Sequence, residues 1–221
     1  MRPDIISFDC YGTLVDWKTG IIHTLTEFLK DYPVEITGPE LFELFIRFDA
    51  QTESGDYISY REILKQIMEM IGERLGLYIS ENELYILSES LPGWHLFEDT
   101  SKVLNLLRSR YKLAVISNVD NDLFRRTNEK LGVRFDYIIT AENTRSYKPS
   151  LNNFQKAFEL FGVSPEKHLH LAQSIYHDVL PAIELGLNCA WINRYDEDPG
   201  KCPVHENVSI FNSLEEIAAG L

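Results

Sequence analysis

Cysteine is scarce in this sequence, which contains only three, Cys10, Cys189 and Cys202. Their separations do not match the spacing of a cysteine-based metal site, and three thiols cannot all pair within one chain. The simplest interpretation is a protein that keeps free thiols in a reducing, cytoplasmic setting.

Basic residues are outnumbered, with 21 Lys and Arg against 34 Asp and Glu and a net charge of −13. This balance argues against a nucleic-acid partner, because binding to a phosphate backbone needs a basic face. A local pocket of Lys or Arg could still hold a small anion. Long apolar runs are missing as well, since no stretch resembles a signal-peptide core or is long enough to span a bilayer. We therefore expect no membrane partner.

What is present is the composition of an ordinary globular protein, with 44% hydrophobic and 25% charged residues. The 221 residues are enough for one large domain, or for a core domain with a smaller insertion. The sequence has neither a Gly-rich phosphate loop nor a dinucleotide-binding fingerprint.

Hydrophobic periodicity divides the chain into two parts. A short apolar strand, Ile5–Phe8, leads into Asp9. From about residue 17 to residue 93, apolar residues then recur at helical spacing with no convincing strand. This stretch predicts an all-helical insertion, with helices over residues 21–30, 40–51, 59–75 and 81–90.

After residue 94 the pattern changes to short strands that alternate with helices. We predict strands over residues 112–117, 137–140, 168–172 and 188–192. We predict helices over residues 100–110, 121–131, 151–161, 177–185 and 211–219, the last capped by Ser213. Such alternation predicts right-handed βαβ units and a parallel sheet. Residues 1–16 and 94–221 would form an α/β core domain, with residues 17–93 as a helical cap domain inserted into it.

Polar side chains follow each of the first four core strands. Asp9 follows the first strand, and Ser117 and Asn118 end the second. Lys148 lies in the loop after the third, and Asp178 follows the fourth. Because the carboxyl ends of parallel strands share one edge of the sheet, we expect these groups to converge. A carboxylate at that edge can form a covalent ester, although Asp9 alone is as compatible with a turn cap.

The order of these motifs resembles the haloacid dehalogenase superfamily over the whole chain. The matching segments are Asp9-Cys-Tyr-Gly-Thr13, Ser117-Asn118, Lys148-Pro149 and a last motif that ends at Asp178. The resemblance implies a Rossmann-like parallel-sheet core with an inserted all-helical cap. It also implies that Asp9 is the nucleophile, that Thr13 and Ser117 orient its ester or the substrate, and that Lys148 holds the charges together.

Two positions bear on the type of reaction. Phosphatases of the superfamily carry a second Asp, the general acid for the leaving oxygen, where this chain has Tyr11, and an acidic Mg²⁺ ligand where it has Gln173. Magnesium prefers hard, usually anionic oxygen ligands, and the loss of a general acid lowers the rate of phosphoryl transfer, so these residues disfavour that reaction. The Asp-x-Tyr-Gly-Thr-Leu form resembles the metal-independent L-2-haloacid dehalogenases. That resemblance implies no cofactor, and Mg²⁺ is expected only if the chain is a phosphatase.

The resemblance to these dehalogenases implies a hydrolysis in two displacements. Asp9 attacks the α-carbon of a small 2-substituted carboxylic acid and expels halide, and water then hydrolyses the aspartyl ester. Lys148 would lower the pKa of Asp9, and Asp178 would orient or deprotonate the water. A homodimer is implied only by analogy with the family.

The last motif departs from the dehalogenase pattern. Those enzymes carry Ser-Ser-Asn where this chain has Gln173-Ser174-Ile175. Tyr176-His177-Asp178, together with Trp17 and Ala190-Trp191-Ile192, resembles a branch that includes a hydrolase opening azetidine-2-carboxylate. A nitrogen leaving group would need a proton. The bond that is broken stays open between carbon–halogen and carbon–nitrogen. A Mg²⁺-dependent phosphatase of the same superfamily and a catalytically silent binding protein are the other two interpretations.

Six residues are our candidates for substrate binding: Tyr11, Trp17, Arg47, Asn118, Ser174 and Tyr176. Arg47 lies on a predicted cap helix, where it could clamp a carboxylate or accept the leaving group. A surface salt bridge is about as compatible with its position. We expect His170 and His177 to be structural.

Overall fold

The computed structural model describes residues 3–221 and contains one six-stranded sheet. All neighbouring strands pair in parallel, in the order β3-β2-β1-β4-β5-β6. The strands are β1 (Ile5–Phe8), β2 (Lys112–Ser117), β3 (Tyr137–Thr140), β4 (His168–Ala172), β5 (Asn188–Ile192) and β6 (Val208–Phe211). The α/β fold expected from the sequence is confirmed.

Strand β1 is central to the sheet and fully buried, as expected for a strand covered on both faces. Phe8 is in register with Val115 on β2 and with Leu171 on β4. These three strands therefore end at the same edge, and the residues that follow them share one end of the sheet.

Ten α-helices surround or extend this sheet within the described residues. They are α1 (Trp17–Leu29), α2 (Gly38–Glu53), α3 (Tyr60–Leu75), α4 (Ile86–Ser90), α5 (Thr100–Arg108), α6 (Asn121–Leu131), α7 (Ala141–Thr144), α8 (Asn152–Phe161), α9 (Leu180–Glu184) and α10 (Leu214–Ala218). On one face of the sheet, Phe154 and Phe161 of α8 pack with Trp191 of β5. On the other face, Leu104 of α5 and Leu214 of α10 pack with Val115 of β2.

Helices α1 to α4 form the cap, and residues 17–93 contain no strand, as the sequence predicted. Local capping determines where the helices begin. The Asp16 side chain accepts a hydrogen bond from Thr19 N, and Thr37 and Glu40 form a capping box at the start of α2. Helix α3 ends at Gly76, whose φ of 68° suits glycine. The boundaries of the cap at residues 17 and 93 stay a prediction.

Several elements differ from those predicted. Strand β6 was not predicted, because this edge strand is only partly buried and lacks a continuous apolar run. The first cap helix begins at Trp17, four residues before the predicted start, because Asp16 caps it. The predicted helix 177–185 is a π-helical turn, Ile175–Val179, that continues into α9. Ser213 caps α10 as predicted, through a hydrogen bond from Glu216 N. No helix within residues 3–221 is long and apolar enough to cross a membrane.

Candidate active site

A cavity of about 500 Å³ lies between the cap and the carboxyl ends of the strands. The core contributes Asp9, Tyr11, Ser117, Asn118, Tyr147, Lys148, Pro149, Gln173, Ser174, Tyr176, His177 and Asp178. The cap contributes Trp17, Ile46, Asp49, Ala50, Glu53, Ser54 and Tyr60. A second cavity, of about 610 Å³, lies beside Pro3 and Asn188 near the amino ends of the strands, and none of the motif residues line it.

Asp9 follows β1 and is held by hydrogen bonds to both of its oxygens. Oδ2 accepts a hydrogen bond from Thr13 Oγ1 at 2.7 Å, and Oδ1 accepts one from Lys148 Nζ at 2.9 Å. The turn that brings Thr13 back to Asp9 passes through Gly12 at a φ of 104°, a conformation that favours glycine. A Cβ there would lie 2.9 Å from Trp17 Nε1. Thr13 Oγ1 also accepts a hydrogen bond from Gln173 N at 2.9 Å, which joins the first and last motifs.

Lys148 lies between two carboxylates, with only 1% of its surface exposed. Its Nζ donates to Asp9 Oδ1 at 2.9 Å, to Asp178 Oδ1 at 2.6 Å and to the carbonyl of Ile116 at 3.0 Å. These three bonds use all the protons of the ammonium group. Burial would lower the pKa of Lys148, but the charges of Asp178 and Asp9 outweigh it and raise the pKa above its ordinary value. The ammonium is therefore a fixed charge of the site.

The pKa values of the two carboxyl groups on either side of Lys148 are shifted in opposite directions. Burial raises the pKa of Asp9, the Lys148 charge lowers it in part, and the nearby Asp178 adds to the increase. Burial would also raise the pKa of Asp178, but Lys148 and the hydrogen bond from His170 outweigh it and lower that pKa. Asp178 is therefore the more acidic member of the pair.

Asp178 is supported by a buried polar chain that the sequence did not reveal. His170 Nε2 lies 2.8 Å from Asp178 Oδ1, and Ser7 Oγ lies 2.7 Å from His170 Nδ1 and 2.5 Å from His168 Nε2. Burial and the neighbouring His170 lower the pKa of His168 to about 3, so His168 is neutral. The signal was present, because residues 168 and 170 share one face of β4 and His170 is in register with Ser7.

The predicted residues Ser117, Asn118 and Trp17 all line the cavity. Ser117 is 2% exposed, and its Oγ has no hydrogen-bond partner among the described residues; the same holds for Trp17 Nε1. Asn118 holds the loop of Lys148, since its Oδ1 accepts from Lys148 N at 2.7 Å and its Nδ2 donates to Lys148 O at 3.0 Å. Asn118 therefore positions the lysine as well as lining the cavity.

Tyr11, Ser174 and Tyr176 also line the cavity, each with a different environment. The Tyr11 hydroxyl lies 2.8 Å from Thr127 Oγ1 of α6, and burial raises the pKa of Tyr11 well above its usual value. Ser174 Oγ accepts a hydrogen bond from His177 N at 3.0 Å and so caps the π-helical turn. Tyr176 is 60% exposed at the rim of the cavity.

The structure does not bring Arg47 into the cavity. The face of α2 that lines the cavity consists of Ile46, Asp49, Ala50 and Glu53, which are spaced so as to share one side of a helix. Arg47 lies outside this face and is exposed. Its predicted role as a carboxylate clamp therefore has no support in the geometry of α2.

Asp49 and Glu53, which lie four residues apart on that face of α2, were not predicted from the sequence. Asp49 is 8% exposed, and its Oδ1 has no hydrogen-bond partner among the described residues. Burial raises the pKa of Asp49 to about 7. The Glu53 side chain is 10% exposed, 3.4 Å from Asn118 Nδ2 and 3.7 Å from His177 Nε2. Burial and the neighbouring Asp49 raise the pKa of Glu53 well above its usual value, which Lys148 only partly offsets.

The side chains present do not fit a magnesium site of the phosphatase type. Gln173 stands where the resemblance to the phosphatases implies an acidic ligand, and its Nε2 donates to Glu197 Oε1 at 3.0 Å. Asp9 and Asp178 both bind the Lys148 ammonium. Within residues 3–221 there is no group of three or more His, Cys, Asp and Glu side chains placed to hold a metal ion.

Comparison with known proteins finds a matching family model and relatives of similar length. A family model described as haloacid dehalogenase-like hydrolase matches residues 6–192. Haloacetate dehalogenase H-2 of Moraxella sp. (strain B) is 27% identical over 203 residues, or 88% of this chain and 87% of that protein. Pyrophosphatase PpaX of Bacillus cereus (strain AH820) is 24% identical over 87% of this chain and 84% of that protein.

A solved structure shows the same fold. The L-2-haloacid dehalogenase from Xanthobacter autotrophicus with chloropropionic acid covalently bound has a TM-score of 0.83 and 17% identity to this chain. The match covers 99% of this chain and 98% of that one. Because the relatives include both dehalogenases and a pyrophosphatase, the side chains of the site have to discriminate between the reactions.

Proposed function

Because the chain belongs to the family of haloacid dehalogenase-like hydrolases, we propose that it displaces a substituent, such as halide, from a small 2-substituted carboxylic acid through an ester on Asp9. The main support for this proposal is the local environment of Asp9. Its carboxylate lines the cavity and accepts hydrogen bonds from Thr13 and Lys148. These two donors favour the ionised carboxylate that a nucleophile needs and partly offset the burial that raises the pKa of Asp9.

The first displacement forms the ester. One Asp9 oxygen attacks the α-carbon, a carbon–oxygen bond forms, and the halide leaves with the electron pair of its bond to carbon. Halide needs no proton to leave, so the reaction does not need an acid at the position of Tyr11. Lys148 stays bound to the Asp9 and Asp178 side chains and limits the charge repulsion between them.

The second displacement hydrolyses the ester. Water attacks the carbonyl carbon of the Asp9 ester, and the bond between that carbon and the substrate oxygen breaks. One proton of the water goes to the departing oxygen, so that the 2-hydroxy acid leaves, and the other is released to solvent. The carboxylate is restored with one oxygen from water. Asp178 is the residue we assign to orient this water. It lines the cavity, and its Oδ2 has no hydrogen-bond partner among the described residues. Ser117 Oγ is similarly available to the substrate or the ester.

This reaction uses no metal, which separates it from phosphoryl transfer by phosphatases of the same family. The proposal is supported by Tyr11, which replaces the general acid that the phosphatases use for their leaving oxygen, and by Gln173, which replaces an acidic magnesium ligand. A small carboxylic acid is the only partner that the mechanism requires. A homodimer stays a prediction, which light scattering of the full chain would test.

The test is turnover of L-2-chloropropionate in ¹⁸O-water with excess chelator, followed by mass spectrometry of the Asp9 peptide. We expect halide release and one ¹⁸O in the Asp9 carboxylate after several turnovers, and no halide from the Asp9→Asn variant. Halide release with ¹⁸O only in the product would overturn the ester. Loss of activity on chelation, or hydrolysis of a phosphomonoester with added Mg²⁺, would favour a phosphatase.

A second candidate is the hydrolytic opening of azetidine-2-carboxylate, and the acidic side of the cavity favours it. In that reaction Asp9 forms the carbon–oxygen bond and the electron pair of the carbon–nitrogen bond stays on nitrogen. A ring nitrogen that is already protonated leaves as a neutral amine. Asp49 and Glu53 line the same cavity as Asp9. The labelling experiment distinguishes this candidate when repeated with azetidine-2-carboxylate.

A further inference from the structure

The cavity carries more negative than positive charge. Its lining includes the carboxylates Asp9, Asp49, Glu53 and Asp178. Lys148 is the only Lys or Arg among the lining residues that the structure describes, and its three protons are already bound. Burial lowers the pKa of His177 to about 4, so this side chain adds no charge near neutral pH. A purely anionic substrate therefore meets no free cation here.

The two cap carboxylates are not explained by the displacement at Asp9. A buried ionised carboxylate costs several kcal/mol unless a partner or a proton compensates it. Among the residues that the structure describes, Asp49 has no such partner on Oδ1, and Glu53 has only the long contacts to Asn118 and His177. Within the same residues, Ser117 Oγ on the core side of the cavity is a further buried polar atom without a hydrogen-bond partner. Unsatisfied groups on both walls of one cavity indicate that a polar ligand completes it.

We propose that Asp49 and Glu53 form a subsite for a positively charged nitrogen, so that the enzyme takes small carboxylic acids that also carry an ammonium group. This inference rests on the proposed displacement at Asp9 and narrows its substrate class. A cyclic or open-chain amino acid fits the description, whereas a simple 2-haloacid lacks the cation. Two carboxylates four residues apart on one helix can contact the same ammonium group.

The titration of these groups supports the subsite. Burial raises the pKa of the Asp49 carboxyl to about 7. In the empty cavity a proton on Asp49 can therefore neutralise the charge that a bound cation would otherwise neutralise. The charged and titratable groups around Asp49 and Glu53 are Tyr60, Tyr147, Lys148 and His177. Burial also raises the pKa values of the two tyrosines. Neither tyrosine therefore carries charge near neutral pH, and a bound ammonium would displace the proton from Asp49.

The experiment measures binding of two small probes by calorimetry on the full chain, namely azetidine hydrochloride as a cation and propionate as an anion. We expect azetidinium to bind more tightly than propionate, and more tightly at pH 8 than at pH 6. Asp49→Asn and Glu53→Gln should each weaken azetidinium binding about tenfold or more, which is the loss of one charge-assisted contact. Glu43→Gln is the matched control, because Glu43 is an exposed residue of the same helix outside the cavity.

Several outcomes would overturn the subsite. They are preferential binding of propionate, no azetidinium binding by the wild-type protein, and unchanged azetidinium affinity in both variants. If one variant fails to fold, the other variant and the pH dependence of azetidinium binding by the wild-type protein still test the subsite. Failure of the proposed function is separate, because azetidinium binding does not need the Asp9 nucleophile. If azetidinium binds but ¹⁸O never appears in Asp9, the proposed subsite is supported and the proposed displacement at Asp9 is refuted.

Discussion

At the scale of single residues, Lys148 is the group on which the site depends most. It is the cation shared by Asp9 and Asp178, and all three side chains are buried. Its replacement would leave two facing carboxylates without compensation. Breaking a buried ion pair by removing one partner costs about 3–5 kcal/mol of stability.

We predict that Lys148→Met lowers kcat/KM at pH 7 by at least about 10²-fold, because the pKa of Asp9 would rise further without its cation. Urea unfolding measures the loss of stability, and steady-state turnover measures the loss of kcat/KM. Lys156→Met is the control, since Lys156 forms an exposed ion pair with Glu159 outside the cavity. An active Lys148→Met variant would contradict the ester mechanism proposed for Asp9.

Asp49 leads to a prediction about stability and pH. Its pKa of about 7 in the folded protein lies above the value of about 3.9 expected in the unfolded chain. The folded state therefore holds the proton more tightly, and this contribution to stability is lost as the pH rises from about 4 to 7. Asp49→Asn should flatten the fall in the free energy of unfolding across this window. Urea titrations at pH 5, 6, 7 and 8 measure the slope, which Glu43→Gln should leave as in the wild type.

At the scale of elements, the start of α3 links the cap to the core. Asp120, next to the second motif, accepts hydrogen bonds from Tyr60 N and Arg61 N, each at 2.9 Å. Its carboxylate therefore satisfies two backbone donors that would otherwise be unpaired at a helix start. Arg61 also pairs with Asp122, whose side chain is half exposed.

We predict that Asp120→Ala destabilises the protein by about 0.5–2 kcal/mol, the usual cost of losing a helix cap, and raises KM as the cap loses its fixed position over the cavity. Asp122→Ala, which breaks only the exposed pair, should cost less than about 1 kcal/mol and leave KM unchanged. The paired measurements are urea unfolding and steady-state kinetics. Equal effects of the two substitutions would show that Asp120 does no more than a surface charge.

At the scale of the whole molecule, the net charge of −13 repels anionic substrates and is screened by salt. We predict that kcat/KM for L-2-chloropropionate rises by about twofold between 10 and 150 mM salt, as screening weakens the repulsion. The value for azetidine-2-carboxylate, which carries both charges, should change little. Steady-state kinetics at a series of ionic strengths measure both. A fall for the anion would mean that a local cation governs its approach to the site.

Local patterns in the amino-acid sequence were enough to predict much of the architecture and part of the site. The alternation of strands and helices predicted the parallel α/β core, and helical spacing predicted the all-helical cap. Strand ends marked Asp9, Ser117, Lys148 and Asp178 as neighbours, because parallel strands share a carboxyl edge. These inferences needed only periodicities and turn chemistry within short segments.

The contacts between side chains of the cap and side chains of the sheet could not be predicted in this way, because they depend on long-range packing. The rotation of α2 about its own axis turns Asp49 and Glu53 into the cavity and leaves Arg47 outside, and no local pattern of charges determines that rotation. The pairing of β1 with β4 likewise brings Ser7 against His170 although 163 residues separate them. Sequence periodicity shows which residues share a face of a helix or strand, but long-range packing determines what that face contacts. In this protein, long-range packing places Asp49 and Glu53 in the cavity and so determines the charge of its lining.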